Sequence, residues 1–214
     1  MAYGVFQEGY SAWNFYLPVF MGVDSQTGKP IYDDGNGNPV MDVNRAANIM
    51  LTDKKYVAPI NGGFNINVGW KGITLSANFA YVLNKWLFNS DRYFTDGGIA
   101  SLPGMARPDY MKNIWKQAGD ISDIPRYGET YLHSTQFLED ASFLRLKNLM
   151  ISYTLPGSWM QKTGFIQSAR IYAIGRNLFT ISKYTGYDPE YAGAAAIGIY
   201  PNARQLSIGV ELIF

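Results

Sequence analysis

The stretch that decides the fold is the last eleven residues, R-Q-L-S-I-G-V-E-L-I-F, from Arg204 to Phe214. Successive side chains of a β-strand point to opposite faces, so an apolar residue at every second position defines one face. That face carries Leu206, Ile208, Val210, Leu212 and Phe214. The other face carries Gln205, Ser207, Gly209 and Glu211. The alternation therefore predicts a strand with one apolar and one polar side, and Ile213 is the one departure from it.

The aromatic residue directly after this alternating strand favours a transmembrane β-barrel. Such barrels place apolar side chains against lipid, polar side chains toward the lumen and aromatic side chains at the membrane interfaces. The apolar side could equally be the core face of a soluble β-sandwich, because alternation alone does not separate lipid from core. The remaining sequence is needed to distinguish the barrel from the sandwich.

The composition restricts the class of protein. Of the 214 residues, 47% are apolar, 16% are charged and 15% are aromatic, and 22 are glycine, a mixture that favours all-β architecture. Lys and Arg total 18 against 17 Asp and Glu, so no nucleic-acid partner is expected. Cysteine is absent, which excludes disulfides and thiolate chemistry. No apolar run reaches the roughly 18 residues of a membrane helix, so any membrane span would consist of strands.

Six stretches are predicted to be strands. They are Tyr10 to Val23, Gly63 to Lys71, Ile73 to Tyr81, Ala141 to Leu155, Ala169 to Phe179 and Arg204 to Phe214. The second and third form a β-hairpin around a tight turn at Lys71-Gly72. The apolar positions of the fourth change phase, which predicts a β-bulge near Lys147-Asn148. Arg170 and Arg176 share one face of the fifth, and this face is predicted to point into the lumen, because Arg facing lipid costs about 2–4 kcal/mol.

The connections between these strands alternate in length. They are tight at 71–72 and short at 156–168, but long at 24–61, 84–140 and 182–203. Short turns on one rim and long loops on the other are typical of an outer-membrane barrel, which favours the barrel over the sandwich. Within the longest loop, Pro108 to Ala118 is predicted to be helical, with Gly119 ending the helix.

Seven stretches, in chain order, resemble the SusC/RagA family of TonB-dependent outer-membrane transporters of Bacteroidetes. They are G-V-D-S-Q-T-G-K-P-I-Y at 22–32, D-I-P-R-Y at 123–127, D-A-S-F-L-R-L-K-N-L at 140–149, S-Y-T-L-P at 152–156, R-I-Y-A-I-G-R-N-L-F-T at 170–180, K-Y-T-G-Y-D-P-E at 183–190 and the final strand. The resemblance covers nearly the whole chain and is most specific from Asp140 to Phe214.

This resemblance implies an all-β fold, an antiparallel transmembrane β-barrel segment with long extracellular loops. Residues 1–214 would be the C-terminal portion of the barrel, about the last six of 22 strands, with the plug domain and the N-terminal strands outside this chain. The C-terminus would be periplasmic in the outer membrane, in contact with its lipid. The spacing of Ser207, Gly209, Leu212 and Phe214 resembles the signal that the barrel-assembly machinery reads.

The resemblance also implies a function and its partners. The transporter would import nutrients such as oligosaccharides or peptides beneath a SusD-like surface lipoprotein that sits on the extracellular loops. Energy would come from the TonB complex through the N-terminal part of the transporter, so no cofactor is expected. Two alternatives stay open: a soluble or surface-anchored β-sandwich that binds carbohydrate, and a complete small barrel acting as a passive pore, which needs about eight strands.

Aromatic residues are the candidate functional residues. Those in the long loops are candidates to stack on sugar rings or to contact a lid protein, with internal packing as the alternative for each. They are Tyr110, Trp115, Tyr127, Tyr184, Tyr187 and Tyr191. Trp70, Tyr81 and Tyr153 lie near strand ends and are predicted to be membrane-girdle residues.

Neither catalysis nor metal binding is predicted. The one histidine of the chain, His133, lies in a polar loop without a Ser or Cys nucleophile pattern around it. Neighbouring carboxylates such as Asp33 and Asp34 show no pairing of a raised-pKa acid with an ionised partner. The run D-D-G-N-G-N-P at 33–39 lacks the spacing and the closing Glu of a calcium loop, so it is predicted to be a solvated turn.

Overall fold

The computed structural model describes residues 3–98 and 108–214, and the chain divides into two compact units. The first, called here the loop unit, comprises Met1–Pro59, Asn84–Ala141 and Tyr184–Ile199. The second, called the strand unit, comprises Ile60–Leu83, Ser142–Lys183 and Tyr200–Phe214. Each unit is therefore assembled from three separate stretches of the chain.

Thirteen strands and two short α-helices occur in the described residues. In chain order the strands are β1 (Asn14–Pro18), β2 (Phe20–Val23), β3 (Pro30–Asp33), β4 (Pro39–Val40), β5 (Asn48–Lys55), β6 (Ile60–Trp70), β7 (Ile73–Leu83), β8 (Trp86–Asn89), β9 (Leu138–Asp140), β10 (Phe143–Thr154), β11 (Ser168–Ser182), β12 (Ala195–Ala196) and β13 (Gln205–Ile213). The helices are α1 (Ser90–Tyr93), followed by a π-helical turn at Phe94–Gly98, and α2 (Gly157–Met160). Single 3₁₀ segments occupy Val43–Arg45, Asp109–Asn113, Thr135–Phe137 and Gln161–Thr163. Of the helices in residues 3–98 and 108–214, none is long and apolar enough to cross a membrane.

The strand unit is one antiparallel sheet in the order β13-β11-β10-β7-β6. Its register aligns the apolar positions of all five strands on one face. One row across the sheet contains Val68, Leu75, Ile151, Ala173 and Ile208, and the next contains Trp70, Ile73, Tyr153, Ile171 and Val210. These side chains do not form a core, since Ile208 is 83% exposed and Val68 is 53% exposed. The sheet therefore presents a continuous apolar surface.

The opposite face of the sheet is polar. Its rows contain Gly69, Thr74, Ser152, Tyr172 and Gly209, then Asn67, Ser76, Met150, Ile174 and Ser207. Arg170 lies on this face opposite Glu211, and its Nε is 3.2 Å from the Glu211 carboxylate. The Tyr172 ring covers Gly209 so closely that a Cβ would have no room there. The alternation of the sequence correctly predicts this division of the faces.

A β-bulge at Lys147 explains the change of phase in β10. The register shifts between Leu146 and Asn148 against both neighbouring strands, which confirms the predicted bulge. Leu146 consequently lies opposite Phe79 and Phe179 and joins the apolar face. The part of β10 before the bulge, residues 143–146, thus has its apolar side chains on the same face of the sheet as the part after it, residues 148–154.

The turn at Lys71-Gly72 requires a left-handed backbone at both residues, with φ of 46° and 85°. A Cβ at Gly72 would lie 2.9 Å from the Thr154 carbonyl oxygen. We expect Gly72→Ala to destabilise the sheet by about 1–2 kcal/mol, the usual cost of a left-handed conformation for a residue with a Cβ. The urea midpoint of the protein in detergent measures this. Gly157→Ala is the matched control, since nothing lies within 4 Å of that Cβ position, and equal midpoints for the two variants would contradict the expectation.

The first predicted strand, Tyr10 to Val23, does not belong to this sheet. It is divided into β1 and β2, which pair with β5 and β3 in the loop unit. The division falls directly after Pro18, the last residue of β1, which has no N–H to donate to a continuous ladder. Five of the six predicted strands therefore form the described part of the barrel sheet, and the predicted long polar loop before it contains β3, β4 and β5.

The core of the loop unit lies on both sides of β8. Phe88 is fully buried in a cluster with Phe15 and Phe137, whereas its neighbour Leu87 is fully buried against Tyr184 and Ala196. Alternate residues of one short strand thus point into two hydrophobic clusters. β8 is consequently the central element that fixes the start of α1 and the segment around β12, which pairs with it in parallel.

His133 belongs to the aromatic cluster of this unit. Its ring stacks on Phe88, with centroids 5.2 Å apart and planes 4° apart, and its centroid lies 3.9 Å from that of Tyr93. Its Nδ1 is buried without a hydrogen-bond partner among the described residues. Burial lowers the pKa of this imidazole below its ordinary value of 6.5, so the folded unit favours the neutral ring.

The position of His133 predicts a pH dependence of stability. Because its pKa is lower in the folded state than in the unfolded state, its contribution is complete above pH 6.5 and is lost as the pH falls toward the folded pKa. Because the His133 ring is only partly buried, the free energy of unfolding should then fall by well under the single-proton limit of about 1.4 kcal/mol per pH unit. Thermal unfolding at pH 7.5 and pH 5.5 measures this. His133→Phe keeps the ring contacts without a titrating group, and a variant with the same pH dependence would contradict the assignment.

Candidate functional site

A cleft of about 880 Å³ opens in the loop unit and is the main candidate for a binding site. Its walls come from the end of β8 and α1, from the 3₁₀ segment at Asp109–Asn113, from residues 121–124 and from residues 185–187. Two of the predicted aromatic residues, Tyr110 and Tyr187, line it together with Arg92, Asp91 and Asp123. The cleft therefore combines aromatic rings with charged groups.

The Glu139 carboxylate connects the walls of the cleft. It accepts hydrogen bonds from the Thr185 amide at 2.7 Å, from the Thr185 hydroxyl at 2.8 Å and from Asn89 Nδ2 at 3.2 Å. Arg92 Nη1 lies 3.4 Å from the same carboxylate. The Asn89 side chain also caps α1 by accepting from the Arg92 amide at 3.0 Å. Glu139 belongs to β9, and its carboxylate thus connects β8, α1 and the segment after β11.

Asp96 forms the second buried polar group beside the cleft. It is 1% exposed and accepts from Arg92 Nε at 3.1 Å and from the Tyr110 hydroxyl at 2.6 Å. Burial and this hydrogen bond to a carboxylate raise the pKa of Tyr110 to about 12, so its hydroxyl stays protonated and donating. The Tyr110 ring is held in place through its hydroxyl, while 40% of the residue remains exposed.

Lys85 is a buried cation that binds the backbone of residues 189–191, a few positions after the cleft residues 185–187. It is 6% exposed, and its Nζ donates to the carbonyl oxygens of Pro189 at 2.8 Å and Tyr191 at 2.5 Å. Burial lowers the pKa of Lys85 to about 8, although the charges of Glu190 and Asp188 act in the opposite direction. Its backbone carbonyl accepts from the Ala141 amide at 2.8 Å. Lys85 therefore joins the residues after β7 to two other stretches of the loop unit.

The six predicted loop aromatics fall into different environments. Tyr110 and Tyr187 line the cleft, and Tyr187 is 65% exposed. Trp115 packs its ring on Gly28 and donates from Nε1 to the Ser25 carbonyl at 3.0 Å, while Tyr184 is 8% exposed in a hydrophobic cluster. Both environments correspond to internal packing, the alternative raised for each residue. Tyr127 and Tyr191 are surface residues, 57% and 39% exposed, and neither is among the lining residues of the cleft.

The predicted helix from Pro108 to Ala118 is wrong beyond its first turn. Only Asp109–Asn113 is helical, as a 3₁₀ segment, and the backbone is extended at Ile114. The reason is the Trp115 amide, which donates to the Ile124 carbonyl at 3.0 Å instead of to a helical partner. This bond brings residues 121–124 beside Asp109–Asn113, so the departure from helix helps to form the cleft.

The predicted girdle and assembly residues lie in the strand unit. Trp70 and Tyr153 share a row next to the tight turn, whereas the Tyr81 ring covers Gly62 toward the other end of the sheet. Ser207 and Gly209 lie on the polar face and Leu212 on the apolar one. The Phe214 ring stacks on Phe165, with centroids 6.1 Å apart and planes 5° apart. Their roles stay predictions.

In residues 3–98 and 108–214, no group of three or more His, Cys, Asp or Glu side chains that could hold a metal ion occurs. Asp33 Oδ1 accepts from the amides of Gly35 and Gly37, and Asp34 Oδ1 accepts from those of Asn36 and Asn38. These carboxylates therefore organise the turn at 33–39 itself. The hydrogen bonds lower the pKa of Asp34.

Three residues of the site, Lys85, Arg92 and Glu139, were not predicted from the sequence. Each is a common charged residue, and its partners lie between 4 and 106 positions away. The available signal is the position of Lys85, a charged residue between the apolar strands β7 and β8. A charge at such a position indicates either a solvated loop or a buried partner, and only the structure distinguishes them.

The sheet and its loops define the class of protein. One face of five antiparallel strands is exposed and apolar, the other is polar, and the connections are short at one end and long at the other. This arrangement is a segment of a transmembrane β-barrel.

Comparison with known proteins specifies the barrel further. No protein-family model matches the chain. It is 27% identical to TonB-dependent receptor P3 of Formosa agariphila over 98% of its length, and 28% identical to TonB-dependent receptor SusC of Bacteroides thetaiotaomicron over 96% of its length. It covers 23% and 20% of these relatives, about a fifth of their length.

Solved structures give the same result. A structure of the RagAB peptide transporter matches with a TM-score of 0.80 and 36% identity, over 93% of this chain and 22% of that one. The closed-closed state of the RagAB peptide importer matches with a TM-score of 0.79 and 38% identity, over 92% and 22%. These similarities confirm the predicted resemblance to the SusC/RagA family of TonB-dependent transporters.

Proposed function

We propose that this chain is part of the barrel of a TonB-dependent transporter that imports nutrients such as oligosaccharides or peptides across the outer membrane. The observation that carries the proposal is the uninterrupted apolar face of five strands, in a chain similar over nearly its whole length to TonB-dependent receptors. An exposed apolar surface of this extent has to be covered, and lipid is the covering that fits the strand lengths of 9 to 15 residues.

Residues 1–214 form the C-terminal portion of that barrel in this proposal, with the plug domain and the earlier strands outside them. Two observations support it. The chain spans about a fifth of its curated relatives, and β6 and β13 each pair on one side only within the described residues. A strand with an unpaired edge is not tolerated in lipid, so both edges need further strands.

The orientation follows from the loops. In this proposal the C-terminus and the short turns lie on the periplasmic side, and the long loops lie on the extracellular side, where a SusD-like lipoprotein covers them. Tyr110 and Tyr187 contact the imported ligand in the cleft, and exposed Tyr127 and Tyr191 are candidates for contact with the lipoprotein. Energy reaches the transporter through its N-terminal part from the TonB complex. The barrel-assembly machinery reads Ser207, Gly209, Leu212 and Phe214.

The test combines fractionation with uptake. The protein, expressed from its complete coding sequence, should be recovered in the outer-membrane fraction and require detergent for extraction. A strain without the gene should lose uptake of a labelled oligosaccharide or of a labelled peptide mixture, and should regain it with the gene on a plasmid. Recovery in the soluble fraction without detergent would contradict the proposal and favour a carbohydrate-binding sandwich.

A further inference from the structure

The segment after β11 is fastened to β8 and α1 along its length. The Phe88 amide donates to the Ala194 carbonyl at 2.9 Å, and the Gly198 amide donates to Asp91 Oδ1 at 2.9 Å. Nearer to β11, two charged side chains hold residues 185 and 189–191: that of Glu139 is 10% exposed and Lys85 is buried. These two attachments, at Glu139 and at Lys85, are referred to as the two anchors.

The first anchor fixes the backbone and the side chain of Thr185. Its amide and its hydroxyl both donate to Glu139, whose side chain is only 10% exposed. Asn89, 2% exposed, donates to both Glu139 and Thr185 at 3.2 Å and 3.1 Å. Hydrogen bonds to a shielded carboxylate are among the stronger ones in proteins, so this position moves little.

The second anchor fixes the other end through backbone groups. Lys85 Nζ donates to the carbonyls of Pro189 and Tyr191, and Asp188, 5% exposed, accepts from the Glu190 amide at 2.9 Å. An ammonium group buried against carbonyl oxygens loses its hydration if those bonds break, so opening this end is costly. The three residues between the anchors, Gly186 to Asp188, form a short span held on both sides.

Tyr187 is the residue that this span presents. It is 65% exposed although its two flanks are fixed, and it lines the cleft. Gly186 before it lies under the Tyr184 ring, where a Cβ would be 2.5 Å from the ring, so the buried Tyr184 also shapes the span. An exposed aromatic ring on a fixed backbone loses little freedom on binding, which is the property of an effective contact residue.

The charges around the cleft indicate which ligands fit. Among the described lining residues, Asp91 and Asp123 are acidic and Arg92 is the one cation. Arg92 is already paired with Asp96 at 3.1 Å and with Glu139 at 3.4 Å. Two carboxylates thus neutralise this guanidinium, and two further carboxylates, Asp91 and Asp123, line the cleft, so a ligand with net negative charge would meet repulsion from the described residues.

We propose that Glu139 and Lys85 are positioning residues that hold Tyr187 as a fixed aromatic wall of the cleft, for a ligand that offers a flat ring face and carries no net negative charge. The inference rests on the proposed function, since it takes the cleft to be a site for imported ligand. The ring face can come from a sugar ring or from an aromatic side chain of a peptide, because both stack on tyrosine.

The first experiment measures the anchoring without any ligand. Amide hydrogen exchange of the whole protein in detergent should be at least about tenfold faster over residues 185–191 in Lys85→Met, because two charge-assisted hydrogen bonds are lost. Thr185→Val, a smaller change, should accelerate the same residues less. Lys116→Met, at an exposed lysine of the same unit, is the matched control. Unchanged exchange over 185–191 in both Lys85→Met and Thr185→Val would overturn the anchoring.

The second experiment measures ligand binding to the purified protein. The probes are maltoheptaose, a neutral phenylalanine-containing peptide, an oligogalacturonide and an aspartate-rich peptide of the same length. One of the two neutral probes should bind, and Tyr187→Ala should weaken it by at least about tenfold, the range for an aromatic residue at the centre of a site. The neutral probe that binds identifies the source of the ring. Equal binding of its anionic counterpart, no binding of either neutral probe, or unchanged affinity in Tyr187→Ala would overturn the inference.

A double variant separates positioning from a general structural effect. If Lys85 acts through Tyr187, Lys85→Met should weaken binding in the parent protein but add nothing in the Tyr187→Ala background. Additive losses would assign Lys85 a structural role only. Uptake by cells is scored separately: uptake without any dependence on Tyr187 contradicts this inference alone, and Tyr187-dependent binding without uptake contradicts the proposed import alone.

Discussion

Replacing Val210 with lysine is expected to destabilise the barrel by about 2–4 kcal/mol, whereas lysine at Ser207 in the same strand should cost much less. Val210 is 61% exposed and lies in the apolar row with Ile171, near the middle of β13. Ser207 lies on the polar face opposite Ile174. The charge of Val210→Lys would therefore be placed in hydrocarbon, but that of Ser207→Lys among polar groups.

Heat-modifiable migration in gels and the amount of protein in the outer-membrane fraction measure this difference. Val210→Lys should be depleted from the membrane or migrate as unfolded protein at a lower temperature than Ser207→Lys. The two variants share a strand, a substituting residue and a net charge, so they differ chiefly in the face. Equal tolerance of both would show that the assignment of the faces to lipid and lumen is wrong.

Replacing Glu139 with alanine is the second change with a large expected effect, a loss of about 1–3 kcal/mol from the stability of the loop unit. The substitution removes the acceptor of the Thr185 amide and hydroxyl and one partner of Arg92. Asn89, which is 2% exposed, also loses an acceptor, and water does not fully replace the carboxylate for this buried donor, whereas Thr185 is exposed.

Thermal unfolding and limited proteolysis measure this second effect, with cleavage expected between residues 185 and 198. Asp53→Ala is the matched control, since Asp53 is a carboxylate of the same unit that pairs with Lys54 at 3.3 Å but has a 73% exposed side chain. An exposed pair of this kind contributes little, so Asp53→Ala should resemble the unsubstituted protein. Indistinguishable curves for Glu139→Ala and Asp53→Ala would show that the Glu139 hydrogen bonds do not stabilise the unit.

The strand unit could be predicted from the sequence because its information is local. The hairpin around Lys71-Gly72 needs only alternation and a turn, and the bulge at Lys147 is visible as a change of phase in fifteen residues. A sheet with one face toward lipid repeats the same two-residue pattern in every strand, so each strand can be recognised separately.

The loop unit could not be predicted in this way because its strands do not repeat one apolar face. β8 points Leu87 and Phe88 into two different clusters, and β5 begins apolar and ends with charged residues. The anchors at Lys85 and Glu139 join residues that are 46 to 106 positions apart. Aromatic content singles out these loops as candidates, but spacing does not distinguish the exposed Tyr187 from the buried Tyr184, three residues earlier.

The bulge at Lys147 also has a consequence for how this chain tolerates change. Relative to β7, one extra residue in β10 lets two halves of opposite sequence phase contribute to the same apolar face. Deleting Lys147 would shorten β10 by a single residue and exchange the two faces in one half of the strand. Arg145 would move to the apolar side if the first half changed, and Ile151 would move to the polar side if the second half changed. Deleting this one residue is therefore equivalent to exchanging several polar and apolar side chains at once. It should destabilise the protein far more than a deletion in the loops.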